Sequence, residues 1–284
     1  MVHLNRLPVI HALKHRLNTL QFWMDADRYR HACGILRSMC LIAHDSKQGP
    51  TVETKEKQKM TSPLNDPTLE SLLARLYSQS KKQNDEIKAY IARRVQEGTM
   101  DQNYRFDEDM HRFFADKMVA LDQEKAQFCY MLCRSLRATR VVEAGTSFGV
   151  STLHLAAAVR DNRVGHGVVI GTEYEPEKAK AARANFREAG LSEFIELREG
   201  DLRQTLRDVG GPVDFMLIDI WEVALPALEL VAPHLRPGAI VACDNTTAFA
   251  NLYRDYFEFV HDPVNRFRTI TVPFKGGFEV TVRD

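Results

Sequence analysis

Two rhythms of apolar residues divide the chain. From Met60 to about residue 137 they recur at helical spacing. Asp66 and Pro67 open the first helix, and Leu69, Leu72, Leu73 and Leu76 line one of its faces. Residues 84–96 and 107–137 also read as helices. Past Arg140 short apolar runs alternate with amphipathic ones. RVVEAG precedes a helix over 150–160, GVVIGTE one over 176–189, and FIELREGD a short one near 202–208. VDFMLIDI precedes a helix over 223–235, and GAIVACDN one over about 247–260. This alternation predicts an α/β fold: a doubly wound, mostly parallel sheet with helices on both faces. FRTITVPF and GFEVTVRD, joined at Gly276-Gly277, read as a hairpin that adds a C-terminal antiparallel strand. The segment from residue 61 to the first strand forms a helical N-terminal cover, so one domain spans 61–284.

Residues 1–60 stand apart as an extension, partly helical or loose. They hold five of the ten histidines, no acid before Asp25, and the polar run HDSKQGPTVETKEKQKM. An acid-poor start is shared with mitochondrial presequences, but their serine enrichment is missing, and a cytoplasmic protein is the expectation. This extension leaves packing across a homodimer open.

The five parallel strands end on Glu143, Glu173, Asp201, Asp219 and Asp244-Asn245. In such sheets ligands bind beyond the carboxyl ends of the strands. Acids crowded on one edge repel each other, so a ligand with hydroxyls, an amino group and a positive centre accounts for them better than structural need.

The loop after the first strand reads G-T-S-F-G, from Gly145 to Gly149. As a bare pattern it is the elbow of a serine hydrolase, with Ser147 as nucleophile. No glycine-rich oxyanion segment precedes it, and His261 in VHDP, the histidine that completes the chain order of a triad, follows a helix. A cofactor loop is the better reading: Gly145 lets the backbone turn close to a ligand, and Gly149 permits tight packing at the start of the next helix. Ser151 then stands in the first turn of that helix, where unpaired N–H groups receive a carboxylate. The loop lacks the second glycine that a pyrophosphate requires, so a nucleoside without pyrophosphate fits better than a nicotinamide.

The segments VVEAGTSFGVSTL, IGTEYEPEKAKAARANF and FMLIDIWEVALPALELVAPHLRPGAIVACDN resemble the class I S-adenosylmethionine-dependent methyltransferases. The likeness is greatest to the metal-dependent catechol and caffeoyl-CoA O-methyltransferases. It runs from about residue 107 to the C-terminus, and more loosely back to about 66. The resemblance implies a Rossmann-like fold and S-adenosyl-L-methionine as methyl donor. It implies that Glu173 accepts the ribose hydroxyls and that Gly145 and Ser151 hold the methionine end. Asp201 is then at the adenine edge, Trp221 packs on the adenine, and Glu143 shapes the loop. It also implies that Asp219, Asp244 and Asn245 bind a divalent metal, Mg2+, with Asp219 also bordering the cofactor. The activity implied is transfer of a methyl group to a hydroxyl, phenolic in type, of a small molecule.

In the catechol branch the fourth strand ends Asp-His-Trp-Lys, the lysine acting as base. This chain reads Asp219-Ile220-Trp221-Glu222. Asp219 and Glu222 are therefore the catalytic candidates. Glu222 could accept a proton, recognise an amine on the substrate, or face solvent. The aromatic pair Phe113-Phe114 belongs to the helical cover, as pocket lining or as core. Two other functions stay open: a serine hydrolase, and a non-catalytic protein that binds the cofactor and regulates a partner.

Composition removes other classes. The chain of 284 residues is 44% hydrophobic and 27% charged with zero net charge, which suggests neither nucleic acid nor membrane as partner. No apolar run approaches the ~20 residues of a membrane span. The five cysteines contain no C-x-x-C pair and read as reduced thiols, with Cys129 and Cys133 sharing a helix face.

Overall fold

A computed structural model of the chain describes residues 62–100 and 106–284. The division drawn at residue 60 lies outside them. Helix α1 (Pro67–Gln96) starts where the sequence places it, because the Asp66 carboxylate accepts the N–H of Leu69 at 3.1 Å and Pro67 needs no partner. One difference is its length. The polar run between Tyr77 and Glu86 continues the helix, so α1 is a single bar of 30 residues. Its Leu69, Leu72, Leu73 and Leu76 enter the main core, while Ile87, Tyr90 and Ile91 form a small second cluster with Met110 and Phe114. Those last two belong to α2 (Glu108–Phe114), capped by Asp107 through the N–H of Met110. Helix α3 (Gln123–Ser135) then leads into the sheet.

The strands are β1 (Arg140–Ala144), β2 (Val168–Glu173), β3 (Ile195–Glu199), β4 (Val213–Ile218), β5 (Leu235–Asp244), β6 (Phe267–Val272) and β7 (Phe278–Arg283). The helices between them are α4 (Val150–Asn162), α5 (Pro176–Glu188), α6 (Leu202–Thr205), α7 (Ala224–Val231) and α8 (Arg254–His261). The sheet order is β3-β2-β1-β4-β5-β7-β6, parallel throughout except for β7, which runs against both neighbours. The strand order reverses between β1 and β4, which opens a crevice at their carboxyl ends.

Successive strand residues face opposite sides, and both sides are apolar. Val141, Val169, Phe215, Leu217 and Ala242 pack under α1, α3, α4 and α5. Val142, Ile170, Met216, Ile218, Val241 and Cys243 pack under α6, α7 and α8. The alternation has a consequence at the ligand edge. Glu143 and Glu173, and by continuation Asp219 and Asp244, share the parity of the first set and turn toward α3 and α4.

Candidate functional site

The loop from Gly145 to Gly149 is pressed between β4 and α5. Gly145 has a φ of 98°, and a Cβ there would lie 2.4 Å from the Asp219 carbonyl oxygen. A Cβ on Gly149, with φ of 83°, would lie 2.3 Å from a ring carbon of Phe186. Both glycines are thus required by space and by conformation. Ser147 between them is also left-handed, and its backbone N–H donates to Glu173 Oε2 at 2.7 Å. The other oxygen of Glu173 receives the N–H of Glu175 at 2.8 Å. Loop and acid are therefore one hydrogen-bonded unit at the ends of β1 and β2.

Glu143 is fully buried beneath this loop. Its Oε2 accepts from Thr146 Oγ1 at 2.9 Å and from Thr152 Oγ1, while Oε1 has no partner among the described residues. Burial raises its pKa, against which the hydroxyls of Ser151, Thr152 and Thr146 favour the charged form. Ser151, in the first turn of α4, thus shares its surroundings with Glu143.

Asp219 and Asp244 meet on adjacent strands. Leu217 pairs with Ala242 and Ile218 with Cys243, so one further step sets Asp219 beside Asp244, with the strands about 4.8 Å apart. Asp219 keeps some accessible surface at the floor of the crevice, yet it lies deep in the protein; depth governs its charge. Its pKa is raised well above the usual carboxylate range by burial and then by Asp244. Asp244 is likewise raised by burial, with Lys125 opposing.

Lys125 was not singled out from the sequence. On α3 it is 2% exposed, and its ammonium lies 2.5 Å from Asp244 Oδ1. Asp122 Oδ2 is 3.7 Å away. Leu121, Lys125, Cys129 and Cys133 form an i, i+4 stripe of buried positions. A lysine on such an apolar stripe needs a buried acid, and that is the signal by which it could have been found. Breaking a buried ion pair of this kind by removing one partner costs about 3–5 kcal/mol.

The metal ligands implied by the resemblance can be tested against this geometry. Asp244 gives one oxygen to Lys125 and the other to the Asn245 amide N–H at 3.0 Å. The Asn245 amide oxygen faces the hairpin turn, where a Cβ on Gly276 would lie 3.0 Å from it. The Lys125 nitrogen stands at a distance from Asp244 within the range of about 2.0–2.6 Å that magnesium and calcium keep from oxygen ligands. In this arrangement the donor set fits an ammonium and does not fit a divalent cation.

The remaining candidates lie further out. Asp201 caps α6 through the Arg203 N–H at 2.9 Å and pairs with the Arg203 guanidinium at 3.0 Å. Trp221 joins an aromatic group with Phe106, Phe114 and Phe249, with ring centroids 4.9, 6.3 and 5.1 Å away. Glu222 accepts the N–H of Phe106 at 2.7 Å. The loop after β4 is thereby fastened to the segment that enters α2, and Phe113 stacks on Tyr90 at 3.8 Å on the far side of that cover. The serine-hydrolase alternative finds no support. His261 ends α8 on the opposite edge of the sheet, exposed, with Nδ1 on the Phe257 carbonyl at 2.8 Å.

Fold, loop and acid edge define the class: a Rossmann-like methyltransferase fold. Residues 142–246 match the family described as "Methyltransferase domain". The resemblance to class I O-methyltransferases is borne out by relatives of known sequence and structure. A catechol O-methyltransferase of Mycobacterium tuberculosis is 32% identical over 129 residues, which are 45% of this chain and 57% of that protein. The chain thus spans little more than half the length of that relative. The cofactor-bound structure of Rv0187 from MTB superposes with a TM-score of 0.52 at 25% identity, covering 59% of this chain and 84% of that one. An O-methyltransferase from Bacillus cereus in complex with SAH shares the fold, with a TM-score of 0.54 at 21% identity over 77% of this chain and 91% of that one.

Proposed function

We propose that the chain transfers the methyl group of S-adenosylmethionine to a hydroxyl of a small molecule, phenolic in type. The observation that carries this reading is the unit formed by Glu173 and the Ser147 N–H, a carboxylate and a glycine loop facing one crevice. Relatives that are O-methyltransferases, and solved relatives with cofactor or SAH bound, support it.

In this reading Glu173 accepts the vicinal hydroxyls of the ribose, which requires an oxygen to be shared with or released from the backbone donors. The methionine end runs over Gly145 toward the first turn of α4, where Ser151 and unpaired N–H groups meet its carboxylate. The sulfonium supplies the reactivity, so the chain's task is to position donor and acceptor and to accept a proton. A phenol has a pKa near ~10, as for tyrosine, and needs such help at neutral pH. We assign Asp219 as the acceptor of that proton: it keeps some accessible surface, and the burial that raises its pKa makes its ionised form a stronger base. Glu222 is occupied by Phe106 and serves to hold the cover. In this reading the proton is moved by the chain's own residues and not through a divalent cation.

The test is incubation of the full chain with methyl-labelled S-adenosylmethionine and a panel of phenols, catechols and aliphatic alcohols. Label should appear in at least one hydroxyl compound and be lost in Asp219→Asn. Cofactor binding without transfer to any of them would reject the enzymatic reading, and no cofactor binding would reject the class of donor.

A further inference from the structure

We propose that the cation of the acidic edge is part of the chain: the Lys125 ammonium holds the Asp219–Asp244 pair in the place where catechol-type relatives bind a divalent metal. The inference concerns the acid pair and stands whether or not methyl transfer is the reaction.

Three independent observations lead to it. The first is position. Asp219 and Asp244 sit side by side by strand register and turn to the same face, the one on which α3 lies. The second is the cation itself. Lys125 reaches that face from the first turn of α3, 2% exposed, with its nitrogen 2.5 Å from Asp244 Oδ1. Asp122 Oδ2 is 3.7 Å away, and Asp219 feels the ammonium through its charge rather than through a hydrogen bond. Buried lysines are rare unless paired, so this site is built for an ammonium. The third is the amide. Asn245, left-handed with φ of 61°, is fixed by its N–H on the Gly277 carbonyl at 3.1 Å, and its side-chain NH2 serves the second oxygen of Asp244. A metal ligand would present the amide oxygen there. Two carboxylates and one ammonium leave at most a single negative charge, whereas an added divalent ion would meet a cation already seated at the ligand position.

Manganese titration of the full-length protein, followed by electron paramagnetic resonance, tests this directly. The wild-type chain should bind no Mn2+ at the acid pair at millimolar concentrations. Lys125→Met, which keeps the length of the side chain and removes the charge, should gain a site at least tenfold tighter that disappears in Lys125→Met/Asp244→Asn. If Lys125→Met does not fold, Lys125→Arg keeps the cation and should exclude Mn2+ as the wild type does. A wild-type Mn2+ site that Asp244→Asn abolishes would overturn the proposal, as would tight Mn2+ binding by Lys125→Arg. Calorimetry of S-adenosylmethionine on the same samples separates this outcome from failure of the functional reading. Where a methyl acceptor is found, transfer should persist in EDTA, and loss of transfer restored by magnesium would count against the lysine.

Discussion

Ser147 gives its backbone N–H, and not its hydroxyl, to Glu173 across the ends of β1 and β2. The contact ties the residue that a hydrolase would use as nucleophile to the residue that a nucleoside would use as acceptor. It also predicts that the two side chains differ in importance. Glu173→Ala removes charge-assisted hydrogen bonds worth about 1.5–3 kcal/mol, so S-adenosylmethionine affinity should fall roughly tenfold to a hundredfold. Ser147→Ala keeps the N–H and should leave affinity within a factor of about two. Calorimetry measures both, and equal losses would contradict the assignment.

Gly145→Ala tests the pressure of the loop on β4. The new methyl would have to displace the Asp219 carbonyl at 2.4 Å, backbone against backbone, at a φ of 98°. Overpacking and strain together should cost about 2–4 kcal/mol of stability. Chemical denaturation gives the value; a loss below ~1 kcal/mol would show that the loop yields freely.

Acid should destabilise the domain through His154. It is buried in α4 with Nδ1 on the Val150 carbonyl, and burial lowers its pKa to about 4. Between its unfolded value near ~6.5 and that folded value, the unfolded chain binds a proton that the folded chain does not. Stability therefore falls as pH drops through this window, by about 1.4 kcal/mol per unit, and levels off below it. Denaturation curves at pH 7.5 and 5 should differ by about 2 kcal/mol more in the wild type than in His154→Leu.

Glu222→Ala should loosen the cover while sparing the cofactor. The carboxylate is exposed and makes one hydrogen bond to the Phe106 N–H, beside the Trp221–Phe106 ring contact. A loss of about 1 kcal/mol corresponds to a roughly fivefold rise in KM for the acceptor, with unchanged affinity for S-adenosylmethionine. If kcat collapses while KM stays, Glu222 is the base after all.

The sheet and its acid edge were legible because apolar strands and glycine turns report local geometry, and each strand end could be read by itself. Strand parity then made Asp219 and Asp244 neighbours. What the sequence concealed was tertiary. The polar middle of α1 has no apolar spacing to declare a helix, yet the helix is carried through it by two separate clusters at its ends. Glu222 was ambiguous because its partner, Phe106, is 116 positions away. Lys125 could be read as a surface residue of α3, and only its place on the stripe of Leu121, Cys129 and Cys133 sets it apart.

Lys125 and Asp244 are separated by 119 positions, so the bond between them spans most of the domain. Closing a loop of that length comes late in folding, since its chain entropy must be offset by contacts that form first. A ribosome that has released α3 and β1 has not yet made the charge balance of the site. Until β5 emerges, Lys125 has only the exposed Asp122 as an acid, and its stripe of apolar neighbours cannot close over a hydrated ammonium. The strand that carries Asp244 is therefore needed before α3 can seal onto the sheet.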